Sequence, residues 1–304
     1  MTITVSITPD TPFSLAAAAS FGFGPNTGRP RPDGAEMRLA FVTDDLHQHA
    51  GVHLKQEGDA ITATIDSAAP PDTVVKQIRR VLSLDRPGDA WLAVGHRDPV
   101  IGRLQDEHSG LRPVLFHSPY EAAAWSIITA RRRQNQSAAL RTRLSASAGR
   151  TMTIAGETRH AFPTPEQLLA VPSFPSIEPV RMQRLHAVAR AALQGRLEAD
   201  SLRDLAPDQA LTQLQSLPGI GPTYANLILL RSTGATDVMT FHEPRLPSYA
   251  AQVYGLGHTV ASRAELTELS ERWRPYRTWC AVLIRVAGDR AGLEWAAGRP
   301  RGRR

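Results

Sequence analysis

The chain has 304 residues, 35 Lys+Arg against 29 Asp+Glu, and a formal net charge of +6. That length suits one large or two ordinary domains, and 42% hydrophobic with 21% charged residues is the balance of a soluble globular protein. No apolar run is long enough to span a bilayer, and no basic stretch followed by an apolar one opens the chain, so a membrane protein and a secreted precursor are both disfavoured.

The first strand signal is Thr2–Thr8, where Ile3, Val5 and Ile7 alternate with Thr and Ser. A loop rich in Gly, Pro and Asn runs from Gly22 to Gly34. Met37–Thr43, Val52–Gln56 and Ala60–Ile65 read as further short strands, with Gly58-Asp59 as a hairpin turn between the last two. Thr73–Leu82 places Val74, Val75, Ile78 and Leu82 on one side of a helix. This portion reads as a small antiparallel sheet with covering helices.

From about Gly110 the signals become helical. Ser118-Pro119-Tyr120-Glu121 reads as a capping box with proline at the first helical position, and Thr164-Pro165-Glu166-Gln167 repeats it. Arg181–Gln194 lines up Met182, Leu185, Ala189 and Ala192 and stops at Gly195. Ser262-Arg263-Ala264-Glu265 is a third capping box. The last helix, from Pro275, aligns Tyr276, Trp279, Leu283 and Val286 before Gly288, and the Gly, Pro and Arg tail is expected to be disordered.

The most informative stretch is Leu217-Pro218-Gly219-Ile220-Gly221-Pro222, between predicted helices Asp208–Ser216 and Pro222–Arg231. Its glycines permit positive φ and close approach of another molecule, and Pro222 sits where a missing N–H costs nothing. Helix N-terminal amides at such a hairpin suit a DNA phosphate. The basic excess agrees with this, since it is carried by arginine, with Lys55 and Lys76 the only lysines.

With this hairpin, Ala161-Phe162-Pro163-Thr164-Pro165, Arg112-Pro113, Ser118-Pro119-Tyr120-Glu121-Ala122 and Glu271-Arg272-Trp273-Arg274-Pro275-Tyr276-Arg277, the chain resembles the AlkA-like 3-methyladenine DNA glycosylases of the helix–hairpin–helix superfamily, over most of Leu111–Gly288. The resemblance implies an α+β protein: a TBP-like N-terminal sheet domain over residues 1–109, an all-α helix–hairpin–helix domain over 110–295 and a basic tail over 296–304. It also implies base-excision repair, in which a damaged nucleotide is flipped out of duplex DNA and its base removed.

The family's catalytic Asp maps, counting from Asp237-Val238, onto Glu243. A carboxylate there stabilises the oxocarbenium-like sugar and orients water. A helix start at Pro244 would help hold it ionised. Capping that helix is the competing role for Glu243. The base pocket maps onto Thr223, Leu227 and Arg285, none of them aromatic. Phe21 and Phe23 are candidates for an aromatic wall, with core packing as the competing role. Relatives with lyase activity carry a Schiff-base lysine at the Thr223 position, so the resemblance implies a monofunctional enzyme.

DNA contact falls to Gly219, Gly221 and Thr223 through the backbone, and to Arg131, Arg132, Arg133 and Gln134 in the loop from which the family inserts a side chain. Arg131 aligns with that wedge, and Asn135 is a further neighbour. Carbonyls of Gln215, Leu217 and Ile220 match the positions that hold an alkali-metal ion; no catalytic cofactor is implied. Cys280 is the only cysteine, which excludes an intrachain disulfide and a four-cysteine iron–sulfur cluster and points to the cytoplasm. His47, His49 and His53 read as a solvated surface cluster. His242, beside Glu243, is the one histidine singled out for test. The expected partner is double-stranded DNA with damaged bases, bound by a monomer. The rival reading is a DNA-binding paralogue that keeps the hairpin but has lost catalysis, and the relation of Glu243 to Arg285 separates the two.

Overall fold

A computed structural model describes residues 2–21, 36–239, 241 and 243–294. The Gly22–Gly34 loop, Phe23, His242 and the 296–304 tail lie outside the described residues. The chain divides into two compact units. One comprises Met1–Pro9, Ser14–Asp85 and Val114–Gly234; the other comprises Asp10–Phe13, Arg86–Pro113 and Ala235–Arg304. This partition differs from the boundary expected at 109/110. The chain leaves the first unit after Asp85 and rejoins it at Val114, so the sheet and the helices that follow share one unit.

The first unit opens with four antiparallel strands, Thr2–Ile7, Glu36–Val42, His49–Glu57 and Ala60–Ser67, in spatial order first, fourth, third, second. Gly58, at φ +60°, makes the predicted hairpin turn, with Glu57 paired to Ala60. Ile61, Ala63 and Ile65 bury alternate positions of the last strand, as its pattern requires. The helix Pro71–Val81 buries Val74, Ile78 and Val81.

One element departs from the all-α expectation after residue 110. Arg150–Ile154 and Glu157–Ala161 form an antiparallel hairpin. Ala155 and Gly156 both have positive φ, the type I′ geometry that a two-residue connection favours. A Cβ on Gly51 would lie 2.8 Å from Met152 Cε. The hairpin therefore packs onto the third strand where that strand has no side chain.

Besides Leu15–Ala19 and Pro71–Val81, the helices of this unit are Pro119–Thr129, Gln134–Ala148, Pro165–Leu169, Pro179–Leu193, Ala199–Asp204, Pro207–Gln215 and Pro222–Ser232. Pro119–Thr129 is their centre, buried from Pro119 through Ile128. It explains a second departure. Ser118 accepts from the Glu121 amide, as a capping box requires, but the Glu121 carboxylate does not return to the cap. It instead accepts from Val42 N (3.1 Å), His117 Nδ1 (3.2 Å) and Arg141 Nη2 (2.6 Å). Burial alone would raise its pKa, yet His117, Arg141 and the Val42 amide hold it down to about 2. Thr164 with Gln167 and Ser262 with Glu265 do form the full reciprocal box.

The histidines correct a third expectation. His49 is buried, its Nε2 lies 3.0 Å from the Phe162 carbonyl, and burial lowers its pKa. His53 lies 3.0 Å from Glu36, while His47 is exposed beside Glu166. Phe21 is in the core, under the Arg231 guanidinium at 4.9 Å.

The second unit contains the helices Gly88–Arg97, Pro99–Glu107, Leu246–Tyr254, Arg263–Arg272 and Arg277–Ala291. Trp91, Tyr276 and Trp279 stack edge to face or tilted in its core. The last helix does not stop at Gly288. That glycine is inside it because the Tyr249 ring occupies the space a Cβ would need, 2.3 Å away. Among the described residues, no helix is long and apolar enough to cross a membrane.

Candidate functional site

The hairpin forms between Pro207–Gln215 and Pro222–Ser232. Leu217 and Ile220 turn into the core, and the Ile220 amide donates to the Leu217 carbonyl at 3.0 Å. Pro218, Gly219, Gly221, Pro222 and Thr223 are left exposed. The two glycines do different work. Gly219 has φ +89°, and a Cβ there would meet Arg184 Cδ at 2.8 Å and Ile127 Cδ1 at 3.1 Å. Gly221 has φ −88° and open space beyond its Cα. It is the N-cap of the second helix and has no side chain to satisfy the first amides. That backbone is open to an external acceptor.

Of the expected pocket residues, Thr223 and Leu227 lie on this second helix, Thr223 exposed and Leu227 partly buried against the core. Tyr224, between them, is half-buried, and burial raises its pKa.

The loop between Pro119–Thr129 and Gln134–Ala148 carries the arginines. Arg131 is exposed and adopts φ +58°, in the left-handed region. Arg132 is half-buried and already paired, donating to the Ser176 carbonyl and Glu178 Oε1, both at 2.7 Å. Arg133 and Gln134 are exposed where the next helix begins. The expected triplet is therefore two outward arginines and one structural one. Sequence reasoning missed Arg181, whose guanidinium donates to the carbonyls of Ile127 (2.7 Å), Ile128 (3.1 Å) and Ala130 (3.1 Å). The side chain closes the C-terminus of the central helix, whose last carbonyls lack partners. It also missed Arg184, three residues on.

Glu243 and Arg285 lie in the second unit. Glu243 Oε2 accepts from the amides of Arg245 (2.7 Å) and Leu246 (3.0 Å), and Oε1 accepts from Arg245 Nε (2.8 Å). The helix it caps, Leu246–Tyr254, starts two residues beyond Pro244. Arg245 Nη1 continues to both oxygens of Asp289 at 3.0 Å, and Asp289 also accepts from Arg285 Nη1 and the Tyr249 hydroxyl at 3.0 Å. Burial opposes charge on Arg245, but Glu243 and Asp289 outweigh it and raise its pKa. On Arg285, burial and then the neighbouring Arg245 lower it. The carboxylate at the candidate catalytic position is thus bonded through both oxygens. Arg245 and Asp289 were not picked out, although Arg285 and Asp289 have the i,i+4 spacing of a helical ion pair. Asp237 is clamped by Arg274 and Arg277.

No protein-family model matches the chain. It is 28% identical over 268 residues to a probable bifunctional transcriptional activator/DNA repair enzyme AlkA of Mycobacterium tuberculosis, covering 88% of this chain and 48% of that protein. It is 34% identical over 128 residues to DNA-3-methyladenine glycosylase 2 of Escherichia coli, 40% of this chain and 42% of that one. The chain thus spans about half the length of the curated relatives it matches. Among solved structures, a 3-methyladenine DNA glycosylase from Archaeoglobus fulgidus aligns with a TM-score of 0.72 at 20% identity, over 94% of this chain and 98% of that one. The 8-oxoguanine glycosylase/lyase of Clostridium acetobutylicum, in complex with double-stranded DNA, aligns at 0.63 and 15% identity, over 95% and 99%. The chain has the fold of these glycosylases.

Proposed function

We propose that this AlkA-like helix–hairpin–helix protein is a monofunctional DNA glycosylase that hydrolyses the N-glycosidic bond of alkylated or otherwise modified bases in duplex DNA. The observation that carries the reading is the hairpin: an exposed turn whose Gly221 backbone is open and uncapped, in one unit with the Arg131 and Arg133 loop. Phosphate on the hairpin positions the duplex, and the loop enters where a nucleotide leaves the stack.

Glu243 is the carboxylate for the chemistry. An anion beside the sugar stabilises the developing oxocarbenium ion and orients water. A cationic N-alkylpurine leaves as a neutral base and needs little acid assistance. Thr223 offers no amine for a Schiff base, and both lysines precede residue 80, so the product is an intact abasic site. The carbonyls of Gln215, Leu217 and Ile220 are oxygen donors of the kind an alkali-metal ion takes, and the Leu217 oxygen keeps a second lone pair beyond its bond to Ile220. An ion there would brace the turn. We further infer that the N-terminal sheet is the counterpart of the family's TBP-like domain, and that the protein acts as a monomer in the cytoplasm.

The second reading, a DNA-binding paralogue without catalysis, is favoured by one observation: Arg245 and two helix amides occupy both oxygens of Glu243. Duplex oligonucleotides with single 3-methyladenine, hypoxanthine or 8-oxoguanine lesions, assayed for abasic sites with wild type and Glu243→Gln, separate the two. Excision by wild type, lost in the variant, supports the glycosylase. Duplex binding without abasic product from any lesion supports the paralogue.

A further inference from the structure

Arg184 lies one helical turn beyond Arg181 on Pro179–Leu193. It is exposed, and among the described residues it has no ion pair and no side-chain hydrogen bond. Several other arginines of this unit are committed: Arg80 to Asp44, Arg141 to Glu121, Arg181 to Glu178 and Arg203 to Asp200. The stem of Arg184 crosses Gly219. A Cβ on that glycine would stand 2.8 Å from its Cδ and 3.1 Å from its Nε. Gly219 therefore leaves room for an arginine against the exposed turn, in addition to turning the chain.

The same contact links the hairpin to the loop. Ile127 Cδ1 would also touch that Cβ, at 3.1 Å, and the Ile127 carbonyl is one of the three that Arg181 holds. Arg181 also holds Ala130, the residue before the left-handed Arg131. A half-buried guanidinium thus fixes the loop origin, and an uncompensated one lies on the hairpin, both from one turn of one helix.

We propose that Arg184 is a phosphate-binding residue of the hairpin, and that Arg181 is the positioning residue that holds the Arg131 loop in register with it. The inference rests on the reading of the hairpin as the DNA contact. Arg184 adds a charged fork where the backbone amides alone offer partial charge, so one phosphate of the duplex is held by both. Arg181 touches no DNA.

The test is equilibrium binding of the full chain to a labelled duplex, with and without an abasic-site analogue, between roughly 50 and 200 mM salt. Arg184→Gln is expected to reduce the magnitude of the slope of log K against log salt by about 0.9, the loss of one phosphate contact, equally on both duplexes. Arg190→Gln, the same charge change about 120° away around the helix, is expected to leave the slope unchanged. Arg181→Met is expected to keep the slope and reduce the preference for the abasic duplex, with Arg181→Lys restoring part of it. A slope unaltered by Arg184→Gln, or altered equally by Arg190→Gln, overturns the Arg184 assignment. Unaltered abasic preference in a folded Arg181→Met overturns the positioning role. If wild type binds neither duplex at low salt, the DNA-binding reading itself fails; if wild type binds and the variants do not differ from it, this inference alone fails.

Discussion

The two compact units treat charge in opposite ways. In the first, the exposed hairpin backbone at Gly221 and the outward side chains of Arg131, Arg133 and Arg184 have no acidic partner among the described residues. In the second, Glu243, Arg245, Asp289, Arg285 and Tyr249 bond one another. A surface that awaits an external anion leaves its donors open, because a pre-formed internal pair would have to be broken to admit it. On the proposed glycosylase reading, the Glu243 carboxylate, bonded within this network, would have to exchange partners or act beside them to meet a developing cation.

The largest expected effect probes whether committed charge inside the first unit is structural. Glu121→Gln leaves Arg141 without its carboxylate beside a buried helix, and unfolding free energy should fall by about 3–5 kcal/mol in denaturant titrations. The pH dependence has a defined sign. The Glu121 carboxyl is held down to about 2 in the folded chain, below its usual 4.5, so its contribution is present above the unfolded value and is lost as pH falls through that window. A variant as stable as wild type would show that this network is dispensable.

The second test is at the other carboxylate. Glu243→Gln retains one carbonyl oxygen as an acceptor for the helix amides, so stability should change by about 1 kcal/mol or less. Single-turnover excision should fall roughly 100-fold. Equal excision by variant and wild type would make Glu243 a helix cap and nothing more.

The hairpin glycines sharpen the contrast further. Gly219→Ala forces φ +89° on a residue with a Cβ and presses it onto Arg184 and Ile127. It should cost about 1–3 kcal/mol, read by thermal unfolding. Gly221→Ala has ordinary φ and open space. Its stability should stay within about 0.5 kcal/mol while duplex affinity falls, because the methyl stands where a phosphate would approach. If both variants lost stability equally, the open approach at Gly221 would be refuted.

Much of this was legible from residue order alone. The Gly58-Asp59 turn, the alternation through Ala60–Ile65, two capping boxes and the Leu217–Pro222 hairpin are local patterns, whose causes lie within a few residues. The hairpin of residues 150–161 was legible only in retrospect. Thr-Met-Thr-Ile alternates, but Ala155-Gly156 is a weaker turn signal than Asn-Gly, and the segment sits among strong helices.

The sequence by itself determined the Gly58-Asp59 turn, two capping boxes, the open hairpin, and an inventory with no lysine after Lys76 and one cysteine. Those follow from backbone preference and inventory. Tertiary structure decided which charges are spent. Glu121 satisfies a strand amide 79 residues away, Asp289 meets Arg245 across 44 residues, and Arg132 pairs with Glu178 while Arg131 stays exposed. Whether a side chain is a partner or a spare depends on what the fold brings within hydrogen-bond reach, and hydrogen bonds act over about 3 Å in space without regard to distance along the chain.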